Sequence, residues 1–196
     1  MITALDQNTA LVIIDLQKGI TRLEPAPYTC AEVFEKVSQL VKAFRKANLP
    51  IVVVNVDPSG SPLRTARVDM PMYPKNSTAP AFNANPDFLE IVTEIGAEPQ
   101  DIYITKNTWG AFFNTPLHNE LKKRNVTGIV LTGIATSIGV EATARSASEL
   151  GYNISFATDA MSDRVAENHQ HSLEKVFPRI GEQGSTQDII NQLAIR

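Results

Sequence analysis

Asp15 closes the apolar run Leu11-Val12-Ile13-Ile14, so its carboxylate would leave the edge of a low-dielectric sheet. Desolvation there disfavours the charged form and raises an acid's pKa, which suits proton exchange near neutrality. Capping a following turn is the other use of an aspartate in this position. Lys106 ends a second such run, Ile102-Tyr103-Ile104-Thr105, and is followed by Trp109, Phe112 and Phe113. An ammonium beside an apolar wall suits a developing anion; the alternative is a solvated lysine next to ordinary core aromatics. A third segment, Leu131-Thr132-Gly133-Ile134-Ala135-Thr136-Ser137-Ile138-Gly139, reads as a strand, a small-residue turn and a helix start. Backbone N–H groups at such a start can cradle an oxyanion.

The elements that would position these residues follow from periodicity. Leu11–Ile14, Ile51–Val54, Ile102–Thr105, Gly128–Thr132 and Asn153–Ala157 are short runs rich in β-branched residues, each ending in polar or small residues. Between them, Val33, Val37, Leu40, Val41 and Phe44 recur at helical spacing behind a Thr29/Glu32 capping box, and that helix should end near Asn48. Further helices are expected over Pro86–Ile95, over Pro116–Arg124 with Thr115 as N-cap, over Ser137–Leu150 closed by Gly151, over Ala166–Val176, and over Ser185–Ala194 capped by Ser185. Alternating strands and helices imply an α/β fold whose parallel sheet is covered on both faces. In such sheets ligands bind outside the carboxyl ends of the strands, near the point where the winding reverses. Asp15, Asp57, Lys106, the stretch after Gly133, and Asp159 are the strand-end residues.

Composition narrows the function classes. With 196 residues, 43% of them hydrophobic, the chain can bury one sizeable core, so one domain over 1–196 is expected. The 18 basic and 21 acidic residues are mixed along the chain, which leaves no broad basic surface for nucleic acid or an anionic membrane. A small-molecule or protein partner fits better. Cys30 is the only cysteine, Met1 to Thr9 lack a basic export-type segment, and no apolar run approaches the roughly 20 residues that span a bilayer. A cytoplasmic protein is the expectation. Residues 58–85, rich in proline, would form either a lid over the strand ends or an arm gripping a second subunit, with Arg64 and Arg67 able to meet a substrate carboxylate.

In content and order the three chemical segments resemble the isochorismatase-like, or cysteine hydrolase, superfamily, over nearly the whole chain. Asp15 with Gln17 resembles its first-strand Asp-x-Gln signature. Lys106 with Phe112, Thr115 and Leu117 resembles its lysine motif, and Gly133-Ile134-Ala135-Thr136 resembles its turn before the catalytic position. The resemblance implies a three-layer αβα Rossmann-like fold with a mainly parallel sheet of about six strands. It also implies Asp15 as acid/base, Lys106 as the group that steadies charge, and a non-proline cis peptide at Ile134-Ala135. The amides of Ala135 and Gly139 would be oxyanion donors, with Gln17, Trp109 and Phe113 on the substrate. A homodimer or larger assembly is implied as well.

The family's nucleophilic cysteine falls here at Gly139, which has no side chain to attack with. A thioester route is therefore not expected, and Cys30, in the first turn of the first long helix, does not replace the missing thiol. Thr136 and Ser137 carry nearby hydroxyls, but the sequence places no base beside them. The isochorismatase branch also has glycine at this point, and its vinyl-ether hydrolysis resembles acid catalysis without a covalent intermediate. Its turn resembles Gly-x-Tyr-Ala-His-x-Gly, which this chain does not reproduce. Ser137-Ile138-Gly139-Val140-Glu141-Ala142-Thr143-Ala144-Arg145 is closer to a hydrolase subgroup with an Asn/Ser-Ile-Gly-Val-Glu-x-Thr-Ala-Arg turn.

No cofactor or metal is expected. The histidines that hold a metal in nicotinamidases of this superfamily are absent after the second strand, where Asp57 stands alone. The three histidines are His118, His169 and His171; the His169/His171 pair points its rings to different faces of a helix and reads as solvated. Glu141 and Arg145 have the spacing of an intrahelical ion pair. The expected function is hydrolysis of a small polar or carboxylated molecule by Asp15 and Lys106; the alternatives are a catalytically silent ligand-binding or regulatory member, or an assembly scaffold. A nucleotide-binding Rossmann protein is the fold-level competitor and fares poorly, because Asp15-Leu16-Gln17-Lys18-Gly19 is not a glycine-rich phosphate loop and no Gly-x-x-x-x-Gly-Lys sequence occurs.

Overall fold

The β-branched runs form the centre of one parallel sheet. Its strands are β1 (Thr9–Ile14), β2 (Ile51–Val56), β3 (Ile102–Lys106), β4 (Gly128–Ile134), β5 (Asn153–Ser162) and β6 (Glu182–Gly184), in the order β3-β2-β1-β4-β5-β6. All five strand pairings are parallel. A computed structural model describes residues 2–59, 61 and 85–195. The lid or arm expected of 58–85, and Arg64 and Arg67 within it, lie almost wholly outside the described residues.

Strand side chains alternate between faces. On one face Leu11, Ile13, Val53 and Val130 pack with Val33, Val37, Leu40 and Phe44 of α2 and with Ile189 and Leu193. Here α1 is the single turn Lys18–Thr21, α2 is Cys30–Lys46, and Ile189 and Leu193 belong to the last helix. On the other face Ala10, Val12, Ile14, Val54 and Leu131 meet Leu117 and Leu121 of α3 (Leu117–Lys122), and Ala144 and Ala147 of α4 (Glu141–Glu149). These two cores make the three layers. A turn of helix, α5 (Ala166–His171), and the C-terminal α6 (Thr186–Ala194) complete the set.

Local signals set most boundaries. The Thr29/Glu32 capping box starts α2, and Ser185 caps α6 through a second box with Asp188. α3 begins one residue later than expected, with Pro116 outside it, although the Thr115 hydroxyl still accepts from the Leu117 amide at 3.3 Å. The Ser137–Leu150 helix is instead a π-turn, Thr136–Val140, running into α4, and Ala166–Val176 is α5 followed by a π-turn, Ser172–Val176. β5 continues five residues past the expected end, across a register shift against β4.

The helix expected over Pro86–Ile95 does not form; only a 3₁₀ turn, Thr93–Ile95, appears there. Its backbone is committed elsewhere. The Lys18 amide donates to the Glu90 carbonyl at 2.8 Å, Gly19 to Phe88 at 3.0 Å, and Val92 to Leu16 at 3.1 Å. Tertiary pairing with the chain leaving β1 overrides the helical spacing of the apolar residues. Among the described residues no helix is long and apolar enough to cross a membrane.

Candidate active site

The winding of the sheet reverses between β1 and β4, and the carboxyl ends of these two strands bring the chemical segments together. Asp15 follows β1 directly, in a left-handed conformation with φ of 54°, and its amide is held by the Val54 carbonyl at 2.9 Å. It is only 6% exposed. Lys106 is the last residue of β3, two strands away, and is 1% exposed. Its long stem carries Nζ across the end of β2 to a point 2.9 Å from Asp15 Oδ2. The same ammonium donates to the Trp109 carbonyl. Asp15 Oδ1, by contrast, is buried and has no hydrogen-bond partner.

Two opposing effects act on Asp15. Burial raises its pKa, and the charge of Lys106 and its hydrogen bond lower it; burial wins, and the carboxyl is pushed up to about 6. A carboxyl with one oxygen held by an ammonium and the other free is equipped to give or take a proton near neutral pH.

Gly139 faces this pair from the π-turn. A Cβ placed there would lie 2.9 Å from Ile14 Cγ2, 3.0 Å from Asp15 Oδ2 and 3.1 Å from Lys106 Nζ. Any side chain at 139 would have to displace one of them. The Ile134–Ala135 peptide is cis. The Ala135 carbonyl then accepts from the amides of Ile138 at 3.2 Å and Val140 at 3.1 Å, which shapes the turn around Gly139.

The other residues singled out from sequence take varied places. Gln17 is fully buried, and its side chain is committed to backbone: Nε2 donates to the carbonyls of Val56 and Phe88, each at 3.1 Å, and Oε1 accepts from the Val56 amide at 2.7 Å. It clamps β2 and the returning segment to the end of β1. Trp109 and Phe113 are 53% and 54% exposed, so neither is core, and it is the carbonyl of Trp109 that meets Lys106. The Cys30 thiol is pushed up to about 11 by burial and by Glu24, which makes it a poor nucleophile. Glu141 and Arg145 form the ion pair their spacing allows, at 2.9 Å.

One reading from sequence needs correction. His171 is exposed, but His169 is buried, and its Nδ1 lies 2.8 Å from Thr136 Oγ1. Burial lowers the His169 pKa, partly offset by the Asp163 carboxylate. Asp163 Oδ2 also accepts from the Ser137 amide at 2.7 Å, and Tyr28 meets the imidazole edge-on. A polar layer thus braces the turn from below. Sequence pattern could not place it, because Thr136 and His169 are 33 residues apart. Thr108, also passed over, is buried with an unpartnered hydroxyl. Among the described residues no group of three or more His, Cys, Asp or Glu side chains gathers that could hold a metal.

Comparison with known proteins identifies the family. Residues 9–188 match the isochorismatase domain family. Over 95% of each chain the sequence is 43% identical to the uncharacterized isochorismatase family protein YwoC of Bacillus subtilis (strain 168). It is 38% identical to the uncharacterized isochorismatase family protein YecD of Escherichia coli O157:H7, over 95% of this chain and 97% of that one. The solved structure of an isochorismatase family protein from Burkholderia thailandensis superposes with a TM-score of 0.89 at 36% identity, covering 99% of this chain and all of that one. A sheet wound as 3-2-1-4-5-6, a family match along 180 residues and relatives aligned almost end to end make this chain a member of the isochorismatase family of hydrolases.

Proposed function

We propose that the chain hydrolyses a small carboxylated molecule by acid catalysis at Asp15, with Lys106 orienting the anion and no covalent intermediate. The observation that carries this reading is Asp15 itself, with one oxygen on Lys106 and the other buried and unpartnered beside a glycine. In the reading, Gly139 stands where a nucleophilic cysteine would otherwise sit, so water is the nucleophile.

An enol ether suits this arrangement. Asp15 donates its proton to the terminal alkene carbon, and positive charge develops on the ether carbon. Water adds to that carbon and gives up a proton to Asp15. The resulting hemiketal breaks its carbon–oxygen bond, releasing an alcohol and a ketone. Amides of Ala135 and Gly139 support developing negative charge on oxygen. Trp109 and Phe113 line the mouth, while Gln17 positions Asp15 through the backbone.

The test is turnover of isochorismate and simpler enol ethers as a function of pH. The acid form is needed, so kcat is full only well below the Asp15 pKa of about 6, is halved at that value and falls further as pH rises, leaving about a tenth at pH 7. Asp15→Asn should lower kcat by about 10²–10⁴. A rate that instead rises through pH 6 would replace the acid role with a base role. Ligand binding without any turnover would favour a silent binding protein, the reading that the absence of a thiol at Gly139 also admits.

A further inference from the structure

Of the three histidines only His169 is buried, at 3% exposure, and the chemistry proposed above does not use it. Burying an imidazole forfeits hydration that an apolar side chain would not miss, so its hydrogen bond has to be accounted for. Among the described residues that bond is a single one, between Nδ1 and Thr136 Oγ1 at 2.8 Å. Thr136 opens the π-turn Thr136–Val140, which presents Gly139 to Asp15. Its side chain is wholly buried, so no substrate reaches the hydroxyl and the pair is not a nucleophile with its base.

The imidazole is itself held in place. Ala26 and Asp163 exchange both backbone hydrogen bonds, at 2.7 and 2.9 Å. Ser162 Oγ donates to the Tyr28 carbonyl at 2.8 Å and accepts from the Tyr28 amide at 3.1 Å. Tyr28 so fixed meets the imidazole edge-on, with ring centroids 5.9 Å apart. The chain leaving β5 then grips the turn and the start of α4 at three points. Asp163 Oδ2 accepts from the Ser137 amide at 2.7 Å, His169 reaches Thr136, and Ser172 Oγ donates to Glu141 Oε2 at 2.7 Å. Of the three, only His169 bonds a side chain of the π-turn itself.

The far side of the turn is a wall of the Asp15 site. Thr143 Oγ1 donates to the Gly139 carbonyl at 2.7 Å and accepts from the Ala111 amide at 3.0 Å. Gly139 stands so close that a Cβ on it would lie 3.0 Å from Asp15 Oδ2. If the turn withdrew by the width of a water molecule, the carboxyl would be hydrated and would lose the burial that favours its protonated form.

We propose that His169 is a positioning residue: through Thr136 it holds the π-turn seated on Asp15 and so keeps water from that carboxyl. This rests on the reading above, in which Asp15 exchanges its proton in a dry setting. His169 touches no reacting atom and acts only through the turn.

The experiment follows the Asp15 carboxyl of the intact chain by carbon-13 NMR titration, in wild type, His169→Phe, His169→Asn and Thr136→Val, with urea unfolding of each. Phenylalanine keeps a ring but leaves the Thr136 hydroxyl unpaired, whereas asparagine can place an amide atom where Nδ1 stands. Neither titrates, so the difference between them reports the hydrogen bond and not the imidazole charge. The Asp15 midpoint should fall from about 6 to about 5 or lower in His169→Phe and in Thr136→Val, and stay within about half a pH unit of wild type in His169→Asn. Thr136→Val breaks the same bond from the other partner, and decides the matter if His169→Phe does not fold. Variants that unfold at lower urea yet titrate like wild type would make the bond merely structural and overturn the proposal. Equal falls in His169→Phe and His169→Asn would overturn the route through Thr136. A wild-type midpoint at or below about 4 would defeat the reading of Asp15 and the role of His169 together, an outcome distinct from a wild-type value near 6 that the variants leave unmoved.

Discussion

At the residue scale, Asp15 sets the energetics. Moving its carboxyl from the ordinary 3.8 to about 6 means that the folded chain binds this proton more tightly than the unfolded chain does. Its contribution to stability is therefore present below about pH 4 and lost as pH rises through about 6, a swing of roughly 3 kcal/mol. Lys106 limits the loss, because its charge and hydrogen bond oppose burial. Lys106→Met removes both, and Asp15 should then titrate above 6. Breaking a buried pair from one side costs about 3–5 kcal/mol when the remaining charge is uncompensated. At pH 5 the lone Asp15 is protonated and that cost shrinks. Urea unfolding should show a larger loss for Lys106→Met at pH 8 than at pH 5; equal losses would mean the two groups are not coupled.

At the element scale, the site depends on how closely β1 and β4 approach at the switch point. Gly133 pairs with Ile14 and has φ of 119°, and a Cβ there would fall 2.1 Å from the Ile14 carbonyl oxygen. Only glycine fits both the conformation and the contact. Gly133→Ala should cost at least about 3 kcal/mol, measured by urea unfolding, through strain and displacement of the strand that ends at Asp15. An unchanged midpoint would show that the strand ends are less tightly joined. Much of this architecture is legible in the sequence because the signals are local: β-branched runs, the Thr29/Glu32 box, Ser185, and Gly151 after α4. β6 is Glu-Gln-Gly and carries no apolar signal. Pro86–Ile95 has helical spacing but spends its backbone bonds on the segment after β1. Asp15 and Lys106 are legible as polar residues ending apolar strands. The Thr136–His169 bond and the position of Thr108 are not, since both arise from the packing of distant segments.

At the scale of the whole molecule, the 3-2-1-4-5-6 order gathers the ends of β1, β3 and β4 at one edge of the sheet, with a core on each face to exclude water. That shielding is what raises the Asp15 pKa, and without it the pair would be an ordinary surface salt bridge. The account therefore turns on one carboxyl that exchanges its proton near neutrality. Carbon-13 NMR titration of the aspartate carboxyls, with Asp15→Asn to assign the signal, measures it directly. A midpoint for Asp15 near 6 is the result this account predicts; a midpoint at or below 4 would contradict it.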